Sequence, residues 1–425
     1  MTKTNLSKAK MGLLGLQHMF AMFGATVLVP AITGLSVSVT LLFAGLGTLL
    51  FHLVTKGKVP AFLGSSFAFI GGYLGVVEMG AASGLTAAQS LPYACIGVAC
   101  AGFLYFLLAA LFRAFGTRRV MKFFPPVVTG PVIICIGLIL SGTAVGNCQS
   151  NWWIALAAIL PIIICNIWGR GMVKIVPILI GIVTSYSLAA CMGVCDFSAV
   201  KEAAWIGLPV VRNNTVLAVM DTRNWALLGS SIIAIMPIAL ATIIEHIGDM
   251  LAISSTTGKN YLQDPGLHRT MVGDGLATVL ASLFGAPANT TYGENTGVLN
   301  LTKVYDPRVI RIAAVFAIVI SFCPKFAALI STMPVATIGG VSLILYGMIA
   351  AVGVRNVVEA QVDFTSSRNV IIAAVILVLG IGINYGIPGG AVDLGFTKLS
   401  ALALAALVGI VMNAVLPGRD YEFDK

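Results

Sequence analysis

Residues 11–32 read MGLLGLQHMFAMFGATVLVPAI, a run without a single Asp, Glu, Lys or Arg. Wound as a helix it would be about 33 Å long, the thickness of a bilayer's hydrocarbon core. Runs of the same character recur at residues 93–112, 125–145 and 152–168. Inside hydrocarbon every backbone N–H and C=O must find a partner within the protein, which leaves helices or closed barrels, and these runs lack the alternation of a barrel strand. The expected fold class is therefore an all-α polytopic membrane protein.

Composition agrees. The chain is 58% hydrophobic and only 10% charged, with a mean hydropathy of +0.98, whereas soluble domains carry about 25% charge. The apolar run at residue 11 is expected to be the first span, not a cleaved leader. Eight cysteines lie mostly in apolar spans without a CxxC pair and read as small buried hydrophobes.

The net charge of +9 is read as topology and not as nucleic-acid binding. With fourteen spans and a cytoplasmic N-terminus, only Lys201, Arg212, Arg223, Lys325 and Lys398 of the 25 cationic residues fall outside. The other twenty, from Lys3 through Arg113, Lys174, Arg269 and Arg355 to Arg419 and Lys425, fall inside. That asymmetry is the positive-inside pattern and puts both termini in the cytoplasm.

The longest polar interruption, residues 196–223, separates seven spans from seven. An odd number per half makes the second half enter from the opposite side, an inverted repeat. The third segment of each half is broken in a matching way. Pro60 precedes Gly64-Ser65-Ser66-Phe67, and Pro287 precedes Thr290-Thr291-Tyr292-Gly293. Matching interruptions mark the midplane site of many transporters, because unwound backbone and half-helix N-termini offer N–H groups there.

Ionisable residues cluster in IIAIMPIALATIIEHIGDML, residues 232–251. Glu245 and Asp249 are four apart and share one helical face, with His246 beside them. A charge at membrane depth costs about 2.5–3.5 kcal/mol on insertion scales, so a functional cavity is the default reading. Glu294 follows the second broken segment, where a helix N-terminus favours a carboxylate. Gln17, His18 and Asn295 are expected to support the site, since polar groups in a bundle commonly bond neighbouring helices.

At these residues the chain resembles the nucleobase-ascorbate transporters, the nucleobase:cation symporters of the second type. Glu294 to Lys303, ENTGVLNLTK, matches the family signature at every fixed position. The likeness extends through LQHMFAMFGATVLVP (16–30), LGSSFAF (63–69), EHIGD (245–249), DPGLHR (264–269) and GGVSLILYG (339–347).

The resemblance implies fourteen spans as 7+7 inverted repeats, with short antiparallel strands in spans 3 and 10. It implies a core domain of residues 1–124 and 225–333, a gate domain of residues 125–224 and 334–425, and a homodimer in the bacterial inner membrane. It further implies uracil:proton symport, with no other cofactor. Glu245 and Glu294 would grip the pyrimidine, backbone at Phe69 and Gly293 would touch it, and Tyr346 would stand on the gate side. Glu245 and Asp249 would serve proton coupling. Asp249 stands where some uracil carriers have a histidine and many purine carriers an aspartate, which makes a symporter of xanthine, urate or another purine the alternative.

An anion transporter of the same fold would want a cationic site, and no basic residue lies between Pro287 and Thr302. An intramembrane enzyme finds no HExxH, GxSxG or Asp-rich metal motif to build on. No enzymatic activity and no metal are expected.

Overall fold

The computed structural model describes residues 7–393 and 398–418, apart from the side chains of Glu294 and Lys398; Lys3, Arg419 and Lys425 of the charge pattern lie outside the described residues. Among the described residues seven helices are long and apolar enough to cross a bilayer. They are α1 (Lys8–Thr33), α2 (Val37–Val54), Ala87–Phe115, Pro126–Gln149, Trp225–Thr257, Val335–Glu359 and Ser367–Gly386. Pro307–Ser321 and Pro324–Ser331 would pass together as an eighth but bend by 87° between them. Shorter apolar helices occupy Ile70–Ala82, Trp152–Trp168, Pro177–Cys191 and Ala401–Val415. The helical membrane fold expected from the sequence is the fold observed.

The broken segments are where the helical rule lapses. Proline cannot donate to a helix ladder, and after Pro60 and Pro287 the chain runs extended as β1 (Leu63–Ser65) and β2 (Asn289–Thr291). The two pair antiparallel, Leu63 with Thr291, Gly64 with Thr290 and Ser65 with Asn289. Bonds from Ser66 N to Ala288 O (2.8 Å) and from Tyr292 N to Phe62 O (3.0 Å) extend the pairing at its two ends.

A two-stranded ribbon leaves outward-facing groups that hydrocarbon cannot satisfy. Threonines from packed helices take that role. Thr48 Oγ1 accepts from Leu63 N at 2.9 Å and stands 3.2 Å from Leu63 O, and Thr278 Oγ1 donates to Asn289 O at 2.7 Å. Tyr292 lies across β1, its hydroxyl donating to Ser65 O at 3.0 Å, and a Cβ on Gly64 would meet that ring at 2.5 Å. The glycine of the first broken segment thus makes room for the aromatic of the second.

After each strand the helix resumes, as α3 (Ile70–Ala82) and as Gly293–Thr302. Small residues let other helices approach closely, as membrane packing requires. A Cβ on Gly353 of Val335–Glu359 would come within 2.7 Å of Gly130 O, and one on Gly102 of α4 (Ala87–Phe115) within 2.4 Å of Val279. A second ribbon, Ala391–Asp393 against Lys398–Ser400, was not anticipated by the sequence reading.

Candidate functional site

Helix Ala239–Thr257 follows a 3-10 turn at Met236–Ile238 that Pro237 opens, and it carries Glu245 and Asp249 down one face. Both line a cavity of about 1330 Å³, as do Phe67 from the first broken segment and Thr290 to Gly293 from the second. The wall continues along Val335–Glu359 to the exposed residues Arg355 and Glu359, where the cavity reaches the surface.

Asp249 is tied to the second ribbon strand: Thr291 Oγ1 donates to its Oδ2 at 2.7 Å. A hydroxyl donating to a carboxylate is a strong, charge-assisted bond when the acid is ionised. A Cβ built on Gly293 would lie 3.8 Å from Asp249 Oδ1, so the start of helix Gly293–Thr302 stands directly beside this carboxylate. The first N–H groups of that helix have no intrahelical partner, and Gly293, where it starts, lines the same cavity.

Of the residues given a binding or coupling role from the sequence, the structure brings Glu245, Asp249 and Gly293 to one cavity. Phe69 is buried at the cap of α3 and does not line it. Tyr346 is also buried behind the wall, its ring edge-on to Phe67 with centroids 5.9 Å apart. The side chain of Glu294 lies outside the described residues. Asn295 Nδ2 donates to the His18 carbonyl at 3.1 Å and lies 3.1 Å from His18 Nδ1, tying the short helix to α1. Gln17 turns elsewhere, its Nε2 lying 2.7 Å from Met172 Sδ in the turn before Pro177–Cys191.

The model of the Permease family, which takes in xanthine and uracil permeases, matches residues 9–389. The chain belongs to this family, the nucleobase-ascorbate transporters. It is 42% identical over 419 residues to the uracil permease of Bacillus caldolyticus, covering 96% of this chain and 92% of the relative. To the uracil permease of Escherichia coli K12 it is 38% identical over 413 residues, covering 95% and 90%.

Among solved structures, the transmembrane domain of the cyanobacterial bicarbonate transporter BicA aligns with TM-score 0.57 at 16% identity, over 96% of this chain and 97% of that one. The murine anion transporter Slc26a9 in its inward-facing state aligns with TM-score 0.65 at 10% identity, over 97% and 69%. These two share the fold of this family member.

One acid in the permease was missed from the sequence. Asp274, on helix Leu267–Leu283, faces His246 with Oδ2 3.2 Å from Nδ1, both side chains fully buried. His246 Nε2 lies 3.0 Å from Thr270 Oγ1. Glycines flank the aspartate because the neighbouring helices close over it: a Cβ on Gly273 would meet Phe51 at 2.9 Å, and one on Gly275 would meet Tyr105 Cβ at 2.7 Å. The signal was present in the sequence, since an ionisable residue in an apolar span is as informative at 274 as at 245.

Proposed function

We propose that this permease carries uracil into the cell together with a proton. The observation that carries the reading is the shared wall: two membrane-depth carboxylates and the exposed N-terminus of a half-helix face one cavity. Uracil alternates N–H donors with carbonyl acceptors. Glu245, and Glu294 by its place in the signature, accept from the ring N–H groups, while backbone N–H groups at Gly293 and across the ribbon donate to the carbonyls. The naming of the relatives as uracil permeases favours uracil over xanthine.

The coupling proton is carried by Glu245, with Asp249 beside it, because an acid within a span that lines the substrate cavity can exchange a proton with it as substrate arrives and the cavity closes. Residues 1–124 and 225–333 form the core that holds the site, and residues 125–224 and 334–425 form the gate, Tyr346 backing Phe67 from the gate side. Rocking between them moves the site across the membrane in a 7+7 inverted repeat of fourteen spans. Both termini are cytoplasmic, the inner membrane is the location and a homodimer is the working form. The cavity reaches the surface beside Arg355, which the charge pattern assigns to the cytoplasm, so this conformation is open inward.

Uptake of radiolabelled uracil into proteoliposomes, with and without an inward proton gradient and with excess unlabelled xanthine, tests the reading. Gradient-driven accumulation that xanthine does not suppress is expected. Uptake of xanthine without uracil uptake would make Asp249 the better guide to substrate and overturn the uracil assignment.

A further inference from the structure

The DPGLHR run at 264–269 takes no part in the cavity, yet its polar residues are all placed. Asp264 is held by Lys58, whose Nζ donates to its two oxygens at 2.5 and 2.6 Å. Gly266 adopts φ +95°, in the region that favours glycine, and a Cβ there would lie 2.6 Å from His268 Cε1. The glycine lets the imidazole fold back over the chain.

His268 and Arg269 then line a separate cleft of about 350 Å³ together with Arg113 from the end of α4, walled by Val54 and Val272. Among the described residues no carboxylate pairs with Arg113 or Arg269, and Asp264, the acid nearest in sequence to His268, is engaged by Lys58. Leu53, next to Val54, is 76% exposed and Phe115, two residues past Arg113, is 55% exposed. On helices that cross a bilayer such exposed apolar side chains face lipid.

Two guanidinium groups without a carboxylate partner among the described residues, and an imidazole over apolar walls, at the ends of three packed helices, suit an anion whose body is apolar. We propose that this cleft binds the phosphodiester headgroup of an anionic phospholipid. Planar guanidinium forks match phosphate oxygens two at a time, and basic pockets between helix ends on the cytoplasmic side take anionic headgroups. The charge pattern puts Arg113 and Arg269 on that side, where the leaflet is anionic. The acyl chains lie along Leu53 and Phe115, which a free phosphate ion would leave unused.

The test titrates the purified full-length protein in detergent with phosphatidylglycerol or phosphatidylcholine and reads bound lipid by native mass spectrometry. Phosphatidylglycerol is expected to bind about tenfold tighter than phosphatidylcholine. The double variant Arg113→Gln/Arg269→Gln is expected to lose this preference and to weaken phosphatidylglycerol binding roughly 25-fold, at about fivefold per cation. Arg113→Lys/Arg269→Lys, which keeps the charge, is expected to lose less than about fivefold.

Equal binding of the two lipids by the wild type would overturn the proposal. So would a folded glutamine double variant that binds phosphatidylglycerol as the wild type does. Displacement of the lipid by millimolar inorganic phosphate would assign the cleft to a free anion and overturn the lipid assignment. Should the glutamine variant fail to fold, the wild-type lipid comparison, the phosphate competition and the lysine variant decide the matter.

Discussion

Two faces of one helix treat ionisable side chains in opposite ways. On Ala239–Thr257, Glu245 and Asp249 look into a cavity wide enough for substrate and water, while His246, one residue on from Glu245, is sealed against Asp274 in the protein interior. An acid that lines a cavity reaching the surface is available to substrate and proton. A fully buried polar group depends on the few groups packed around it, and removing one leaves the other stranded. The cavity face should therefore govern transport with little effect on stability, and the core face stability first. Thr291 joins the two, donating to Asp249 at 2.7 Å with His246 Nδ1 3.5 Å away.

The sharpest way to break this contrast is at the core face. Asp274→Ala should destabilise the protein by about 1–3 kcal/mol, the usual result of leaving a buried polar group without its neighbour, seen as a drop in thermal unfolding temperature in detergent. A variant that melts like the wild type but no longer transports would move Asp274 from the structural to the functional face.

At the cavity face, Glu245→Gln should lower gradient-driven uracil accumulation by at least about 100-fold, or about 2.7 kcal/mol, with an unchanged unfolding temperature. If the melting point fell as far as for Asp274→Ala, the two faces would not be distinct.

At the joint, Thr291→Val removes one hydroxyl bond to a carboxylate, worth about 1.5–3 kcal/mol if the acid is charged. Uptake at low uracil should fall about tenfold with only a small change in stability, and initial rates over a concentration series would measure it. The smallest effect is expected at Asn295→Ala, where loss of two neutral bonds to His18 should cost about 1 kcal/mol of stability and reduce transport a few-fold. Unfolding and uptake measured together on that variant would show whether the tie to α1 serves more than packing.

Much of this arrangement was legible in the sequence because its signals are local. Pro60 and Pro287 interrupt apolar runs, and the chain is extended after each. Glu245 and Asp249 are one helical turn apart and do share a wall. Periodicity does not report partnerships between distant helices. The sequence sets His246 beside Glu245, but the acid it faces, Asp274, lies 28 residues on, on another helix.

The threonines that satisfy the ribbon edges, Thr48 and Thr278, looked like ordinary span residues for the same reason. Phe69 and Tyr346, carried over from the family resemblance, are buried and do not line the cavity, because its wall is set by packing between segments distant in sequence, such as Phe67 against Tyr346, and not by any local pattern. The ribbon at Ala391–Asp393 and Lys398–Ser400 was invisible because three-residue strands have too short a period to stand out.

Glu245 is the group proposed to couple the proton to uracil. The most direct measurement is the lumenal pH of weakly buffered proteoliposomes, followed with a trapped dye as uracil is added outside, for the wild type and for Glu245→Gln with its uracil binding checked by calorimetry. Acidification by the wild type and none by a variant that still binds uracil is the predicted result; acidification by the variant at the wild-type rate would contradict the claim and place the coupling proton on another group.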